Sequence, residues 1–380
     1  MKYALSGVPI YTGEVLLDDR SIIVEGSHIL DVVANDKVPP DAEPIGLEGK
    51  ILAPGFIDLQ VNGGGGQLFN DAPTVETIEA IATAHMPFGV TGFLPTLISD
   101  DDAKIRAATT AVDAAIEAGV PGVLGIHIEG PYLNPARKGV HDATKIRAPG
   151  AETLELLTGC TKGWTLITLA PEITGAKLVR DLVENGVIVS AGHSDATYEE
   201  IEAAAAQGLC SITHLFNAMS PLQSRNPGMV GAAMALDNLF TTIIVDGHHV
   251  HPAAMRLAFA AKGPDRLCLI SDAMPTVGTD VEEFELQEQR ILRRDGRLDT
   301  EAGTLAGADL GMAQAMRNAC TMLGAKLEDA LRMASLTPAR LLGLTDYRGW
   351  LAAGYRADMV LIDENDAVTG TWIGGRRIFG

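Results

Sequence analysis

The sequence predicts an α/β protein: a (β/α)8 barrel of the TIM type with a small β-sandwich domain formed by both chain termini. Three observations predict it. Eight short apolar runs alternate with amphipathic helical patterns through the middle of the chain. Each run stops at a polar or ionisable residue, and turn residues follow at once. Short alternating strands lie at both ends of the chain, around this α/β body.

In order, residues 1 to 52 read as β, through EVLLDD, SIIVEG and SHILDVVA with Asp-Asp and Glu-Gly-Ser turns between them. The tail segments ADMVLID and VTGTWIGGRRIFG are of the same kind, the second with a Gly374-Gly375 turn. This predicts a discontinuous sandwich of residues 1–52 and 346–380 around a barrel of residues 53–345. The barrel strands are expected at 55–61, 90–97, 122–128, 164–170, 187–192, 209–213, 240–246 and 266–271. Amphipathic segments such as DDAKIRAATTAVDAAIEAG, YEEIEAAAAQG and PAAMRLAFAAKG supply the helices between them. A doubly wound open sheet is the alternative, but no GxGxxG opens a helix after a strand. After the eighth strand, FELQEQRILRRDGRLDT alternates around an Asp295-Gly296 turn and reads as a β-hairpin insertion. Helical pattern then returns in GADLGMAQAMRNACTMLG and LEDALRMASLTPARLLG.

The chain has 380 residues, 47% hydrophobic and 21% charged, enough for one large domain and a small one. It holds no uninterrupted apolar run of about 18 residues, and Gly and Pro break the N-terminal segment before a signal-peptide core could form. A cytoplasmic protein without a membrane partner is expected. Cys160, Cys210, Cys268 and Cys320 are far apart, which predicts neither a disulfide framework nor a thiolate zinc site. A net charge of −20 argues against nucleic acid and anionic membranes as partners. An anionic substrate would need local Arg, His or N–H donors to overcome that field.

The strand ends carry Gln60 and Asn62, Thr96, Glu129, Glu172, His193, His214, Asp246 with His248 and His249, and Asp272. A core has no use for this pattern, because burying unpaired polar groups costs several kcal/mol. A catalytic face does. Alone, Glu129 reads as a salt-bridged or capping carboxylate and either histidine as a hydrogen-bonded structural residue. Together Glu129, His193 and His214 are two imidazoles and a carboxylate, the ligand mixture of catalytic zinc sites that keep one position open. His127 shares a strand face with Glu129 and reads either as a further ligand or as support. Asp272, at the eighth strand end, is the expected general base; its alternative is a turn-capping aspartate. Two long loops suit an anionic, hydroxyl-rich ligand: one with Gly130, Lys138 and His141, the other with Asn217, Arg225 and Asn226. Arg225 is either an anion fork or a solvated surface residue. Of His248, His249 and His251, one or two are expected to face the site.

Together the segments DLQVNGGGG, GIHIEGPYLNPARKGVH, SAGHSDATYEE, THLFNAMSP with SRNPG, VDGHHVHP, SDAM and LAGADLGM followed by ASLTPARLLGL resemble the N-acetylglucosamine-6-phosphate deacetylases, a family of the amidohydrolase superfamily. The resemblance runs in order over nearly the whole chain. It implies metal-dependent hydrolysis of the N-acetyl group of N-acetylglucosamine 6-phosphate to glucosamine 6-phosphate and acetate. It further implies that Glu129, His193 and His214 bind one divalent metal per subunit, zinc first, with iron(II), cobalt(II) and manganese(II) as alternatives. Asp272 would deprotonate water and then protonate the amine, and His141 would polarise the acetyl carbonyl. Val140, His141, Asn217, Ala218, Arg225, His249, Leu305, Ala306 and Gly307 would hold the amino-sugar phosphate. A homodimer is implied, with Arg225 acting across the interface. Many members of the superfamily carry His-x-His after strand one and bind a second metal; this chain has Gln60 and Asn62 there. Amides are poor zinc ligands, so one metal is expected, with Gln60 orienting the water. Rival readings are an amidohydrolase of another acetylated sugar phosphate or cyclic amide, and a non-catalytic sugar-phosphate-binding barrel.

Overall fold

The computed structural model describes residues 2–380. Eight parallel strands form one sheet in strictly sequential order: β1 (Phe56–Val61), β2 (Val90–Ile98), β3 (Gly125–Glu129), β4 (Trp164–Leu169), β5 (Ile188–Ala191), β6 (Ser211–Ile212), β7 (Phe240–Ile244) and β8 (Leu267–Ile270). Every strand expected from the sequence is present, although β6 is reduced to two residues. Its neighbours extend past it by single backbone bonds, as where Cys210 N–H donates to the Val189 carbonyl and Thr213 N–H to the Ala191 carbonyl.

The sheet closes at β1 and β8 through a mixed seam. Val61 bridges Ala273, Asn62 and Gly63 N–H groups donate to the Ala273 carbonyl, and the Ser271 N–H donates to the Asp58 carboxylate at 3.2 Å. Asp58 is fully buried and its carboxyl is pushed up to about 7, by burial first. A side chain therefore completes the ladder where regular pairing stops, next to the strand end that carries Asp272. Outside the barrel, helices Val75–His85, Asp102–Glu117, Tyr198–Ala205 and Pro252–Lys262 bury one stripe each against the strands. Thr197 and Glu200 start the third of these with a reciprocal capping box.

Two segments depart from the sequence reading. LEDALRMASLTPARLLG forms two helices, Leu327–Ala334 and Leu336–Leu341. Ser335 leaves helical geometry because Pro338, in the next turn, has no N–H to continue the ladder. The insertion after β8 has three strands rather than two: Glu283–Leu286, Gln289–Arg294 and Arg297–Thr300. The Asp295-Gly296 turn is where the sequence puts it, but a second turn falls at Gln287-Glu288, which carries no glycine or asparagine.

At the termini, a four-stranded sheet of residues 2–46 packs on a six-stranded sheet. In the latter, Ile51–Pro54 pairs with Met359–Ile362, so both ends of the chain share one ladder. Tyr3, Leu5, Ile22, Leu52, Met359 and Trp372 fill the space between the sheets. No helix of the described residues is long and apolar enough to cross a membrane.

Candidate metal and catalytic site

The barrel interior below the site is polar. Thr96 Oγ1 lies 3.2 Å from His127 Nδ1, His127 Nε2 lies 2.8 Å from Thr168 Oγ1, and Thr213 Oγ1 joins Thr168 and Ser190 at 2.7 Å each. These five side chains span β2 to the end of β6 and satisfy one another. Burial pushes the His127 imidazole down to about 4, and both its nitrogens are taken by hydroxyls. His127 therefore supports the floor of the site.

Above this layer, Glu129, His193 and His214 converge. Glu129 Oε1 is 3.2 Å from His193 Nε2 and 3.0 Å from His214 Nε2, and the two nitrogens are 3.0 Å apart. His193 Nδ1 donates to the Arg137 carbonyl at 2.9 Å, which leaves the Nε2 lone pair pointing at Glu129. Lone pairs facing one another at this distance repel unless a cation or a proton stands between them. A tetrahedral metal with M–N distances of about 2.0–2.1 Å has ligand–ligand edges of roughly 3.3 Å. The donor set and its spacing fit a divalent metal. It is the one cluster of three such residues with metal-ligand spacing among the described residues.

Asp272 stands beside the triad. Its Oδ1 accepts from Gln60 Nε2 at 2.9 Å and from Asn62 Nδ2 at 2.7 Å, so Oδ2 is the oxygen left for chemistry. Burial, then the charge of Glu129, pushes its carboxyl up to about 6. Gln60 Nε2 also reaches Glu129 Oε1 at 3.3 Å. The two amides at the end of β1 thus hold the aspartate, and Gln60 faces Asp272 and Glu129 rather than the open cavity. His193, His214 and Asp272 have φ of 47°, 33° and 50°. The left-handed region costs such residues about 1 kcal/mol or more each, and this strain gathers at three strand ends around one point.

His141 is fully buried, its imidazole pushed down to about 3 by burial first, and its ring packs 4.4 Å from that of His193. Ser99 Oγ lies 2.8 Å from His141 Nδ1 and the Ser99 N–H donates to the same nitrogen at 3.4 Å. With Nδ1 as acceptor, Nε2 carries the proton and is free to donate. His249 is held differently. Asp246 accepts from its Nδ1 at 2.6 Å and from the N–H groups of His248 and His249. His248 and His251 are exposed, and His251 caps the helix that follows.

These groups surround a cavity of about 310 Å³, within the usual range for small ligands. Of the residues singled out from the sequence, Asn62, Glu129, Val140, His141, His193, His214, Asn217, Ala218, His249, Asp272, Leu305 and Gly307 line it. Gly307 must be glycine: a Cβ would meet the Asp272 carbonyl at 2.9 Å. Ala306 does not line the cavity, its side chain being buried in an apolar cluster with Leu68, Met274 and Leu286. Arg225 lies outside as well, exposed in a separate hollow with Asp195 and Tyr198. Ser99, the hold of Asn62 on Asp272, the Arg137 carbonyl and Leu286 do not stand out in the sequence pattern. Asn62 and Asp246 were visible as strand-end residues; a backbone carbonyl leaves no signal.

A parallel barrel whose strand ends gather a metal-ligand triad, a buried carboxylate and a donor imidazole around one cavity is the framework of a metal-dependent hydrolase. Residues 51–378 match the Amidohydrolase family and residues 2–52 the NagA composite domain, and the chain belongs to the amidohydrolase family, which implies a divalent metal. The chain is 43% identical to the N-acetylgalactosamine-6-phosphate deacetylase of Shewanella sp. (strain ANA-3), over 88% of this chain and 84% of that one. It is 38% identical to the N-acetylglucosamine-6-phosphate deacetylase of Haemophilus influenzae, over 99% of both. The crystal structure of N-acetylglucosamine-6-phosphate deacetylase from Pasteurella multocida superimposes over the full length of both chains, with a TM-score of 0.97 at 36% identity.

Proposed function

We propose that this protein hydrolyses the N-acetyl group of N-acetylglucosamine 6-phosphate, releasing glucosamine 6-phosphate and acetate in the cytoplasm. The observation that carries the reading is the tethered aspartate: Asp272, with Oδ1 tied by two amides and Oδ2 free, beside the Glu129, His193 and His214 triad. A binding protein has no need of a buried carboxylate prepared in this way.

Glu129, His193 and His214 would hold one divalent metal per chain, with zinc the first expectation. Such a metal supplies Lewis acidity that makes water nucleophilic at neutral pH. Asp272 Oδ2 takes the proton of the attacking water as its oxygen adds to the acetyl carbon. The His141 Nε2–H donates to the acetyl oxygen as negative charge develops there. When the C–N bond breaks, Asp272 returns its proton to the amine nitrogen, so acetate and the free amino sugar leave and Asp272 is again ionised. Asn217, Ala218, His249 and the Leu305–Gly307 turn would hold the sugar and its phosphate; Ala306, its side chain buried, would contribute main-chain atoms only. Gln60 would keep Asp272 oriented, and through it the water. Arg225, exposed outside its own cavity, would serve the site of a second subunit in a homodimer.

The test is acetate release from N-acetylglucosamine 6-phosphate and from unphosphorylated N-acetylglucosamine. The reading expects the phosphorylated sugar to be strongly preferred; equal kcat/KM on both refutes phosphate recognition. A second reading, the C4 epimer N-acetylgalactosamine 6-phosphate as substrate, is favoured by the relative at 43% identity. Comparing kcat/KM for the two sugar phosphates decides between them.

A further inference from the structure

The turn between the first two strands of the insertion, Gln287-Glu288, has φ of 47° and 65° at residues that are neither glycine nor asparagine. Two-residue hairpin loops of this kind normally take Asn-Gly or Asp-Gly, and other residues there cost about 1 kcal/mol or more each. What offsets the cost lies beyond the hairpin. Gln287 Nε2 donates to the Ser99 carbonyl at 2.7 Å, and its Oε1 accepts from the Asp142 N–H at 2.9 Å. Gln289 Nε2 donates to the Val140 carbonyl at 3.2 Å. The side chain just before the turn, Leu286, is buried with Ile98 and Met274 and lines the cavity, and Val140 packs against the same cluster.

All three bonds end on backbone next to one catalytic group. Val140 and Asp142 flank His141, and Ser99 is the residue that holds His141 Nδ1. The Gln287 amide acts as an inserted peptide rung, joining the loop after β2 to the loop after β3. We propose that Gln287 is a positioning residue for the hydrolysis: by clamping Ser99 and Asp142 it fixes where the His141 Nε2–H points. The proposal rests on the role given above to His141. It explains why a strained turn without turn residues stands here, since a glycine would relax the backbone and lose the clamp.

The experiment is a double-mutant cycle on the metal-loaded enzyme, with kcat and KM measured for Gln287→Gly, His141→Ala and the pair. Gly suits the left-handed position, so relief of the strain offsets much of the loss of the two bonds, and the single variant is expected to fold with a Tm close to wild type. Its kcat is expected to fall about tenfold with KM within about twofold, because the imidazole is misaimed where charge develops. In the His141→Ala background the same change is expected to alter kcat less than about twofold. Gln287→Glu keeps the bond from the Asp142 N–H but sets an oxygen against the Ser99 carbonyl, and its kcat should likewise fall below wild type. Wild-type kcat in Gln287→Gly or Gln287→Glu overturns the clamp, as does an equal loss in both backgrounds. Wild-type kcat in His141→Ala overturns the role of His141 and the clamp with it. A slow His141→Ala beside a wild-type Gln287→Gly overturns the clamp alone.

Discussion

Asp272→Asn separates chemistry from architecture more cleanly than any other single change in the site. Asparagine has the same shape, and the two donors that hold Asp272 decide which way its amide turns. Gln60 Nε2 and Asn62 Nδ2, at 2.9 and 2.7 Å from Oδ1, can only be met by the amide oxygen. The new NH2 group then occupies the position of Oδ2, so a donor stands where the reaction needs an acceptor. General acid–base catalysis contributes about 10²–10⁴ in rate, equivalent to roughly 3–5 kcal/mol, and that is the expected fall in kcat. KM and metal content should be unchanged, because Asp272 is not among the triad. The fold should gain. Burial and the nearby charge of Glu129 push the Asp272 carboxyl up, so its ionised form is disfavoured in the folded state. A neutral amide removes that cost, and the metal-free variant should melt no lower than metal-free wild type at neutral pH. Acetate release, metal analysis and thermal melting on the same preparation check all three. Turnover within about threefold of wild type would remove Asp272 from the mechanism, since even the weakest general bases contribute more.

Asn62→Leu deletes the shorter tie to Asp272 while Gln60 keeps the other; a hydrogen bond to a charged group contributes about 1.5–3 kcal/mol, so kcat should fall about 10- to 100-fold. With Arg225 acting across a dimer interface as proposed, Arg225→Ala should raise KM, and mixing it with Asp272→Asn subunits should restore activity, because a mixed dimer would have one site with its own Asp272 and a neighbour's Arg225. Activity no higher than the sum of the two variants would place Arg225 outside the neighbouring site. Lys262, far from the chemistry, donates to the Leu236 carbonyl at 2.8 Å, and burial pushes its ammonium down to about 8. Its folded value lies below its unfolded one, so stability should rise as pH rises from about 8 to 10.5. Lys262→Met should flatten that rise in denaturant melts recorded across the window.

The sequence carried the barrel because its period is local: eight apolar runs, each followed by a helical stripe and each ending in a polar group. Glu129, His193, His214 and Asp272 were legible for the same reason, since a strand end is a position that the chain itself marks. What holds them was not. The Arg137 carbonyl that fixes His193, and the Ser99 N–H and hydroxyl that fix His141, depend on how loops fold back, and backbone atoms have no sequence signature. The Gln287-Glu288 turn has no local sequence signature because its geometry is imposed by partners 145 and 188 residues away rather than by turn residues. Ser335 shows the reverse case, in which Pro338 was in plain view but the helical pattern on both sides masked the break. The hollow that holds Arg225 is set by how the long loop 214–227 packs beside Asp195 and Tyr198, which periodicity does not describe.

One metal, held by Glu129, His193 and His214, should suffice for deacetylation by Asp272. Titrating zinc into chelator-treated protein, while following acetate release from N-acetylglucosamine 6-phosphate, tests it most directly. Activity should rise in proportion to added metal and level at one equivalent per chain. A rise that continues to two equivalents, or full activity in the metal-free protein, would contradict it.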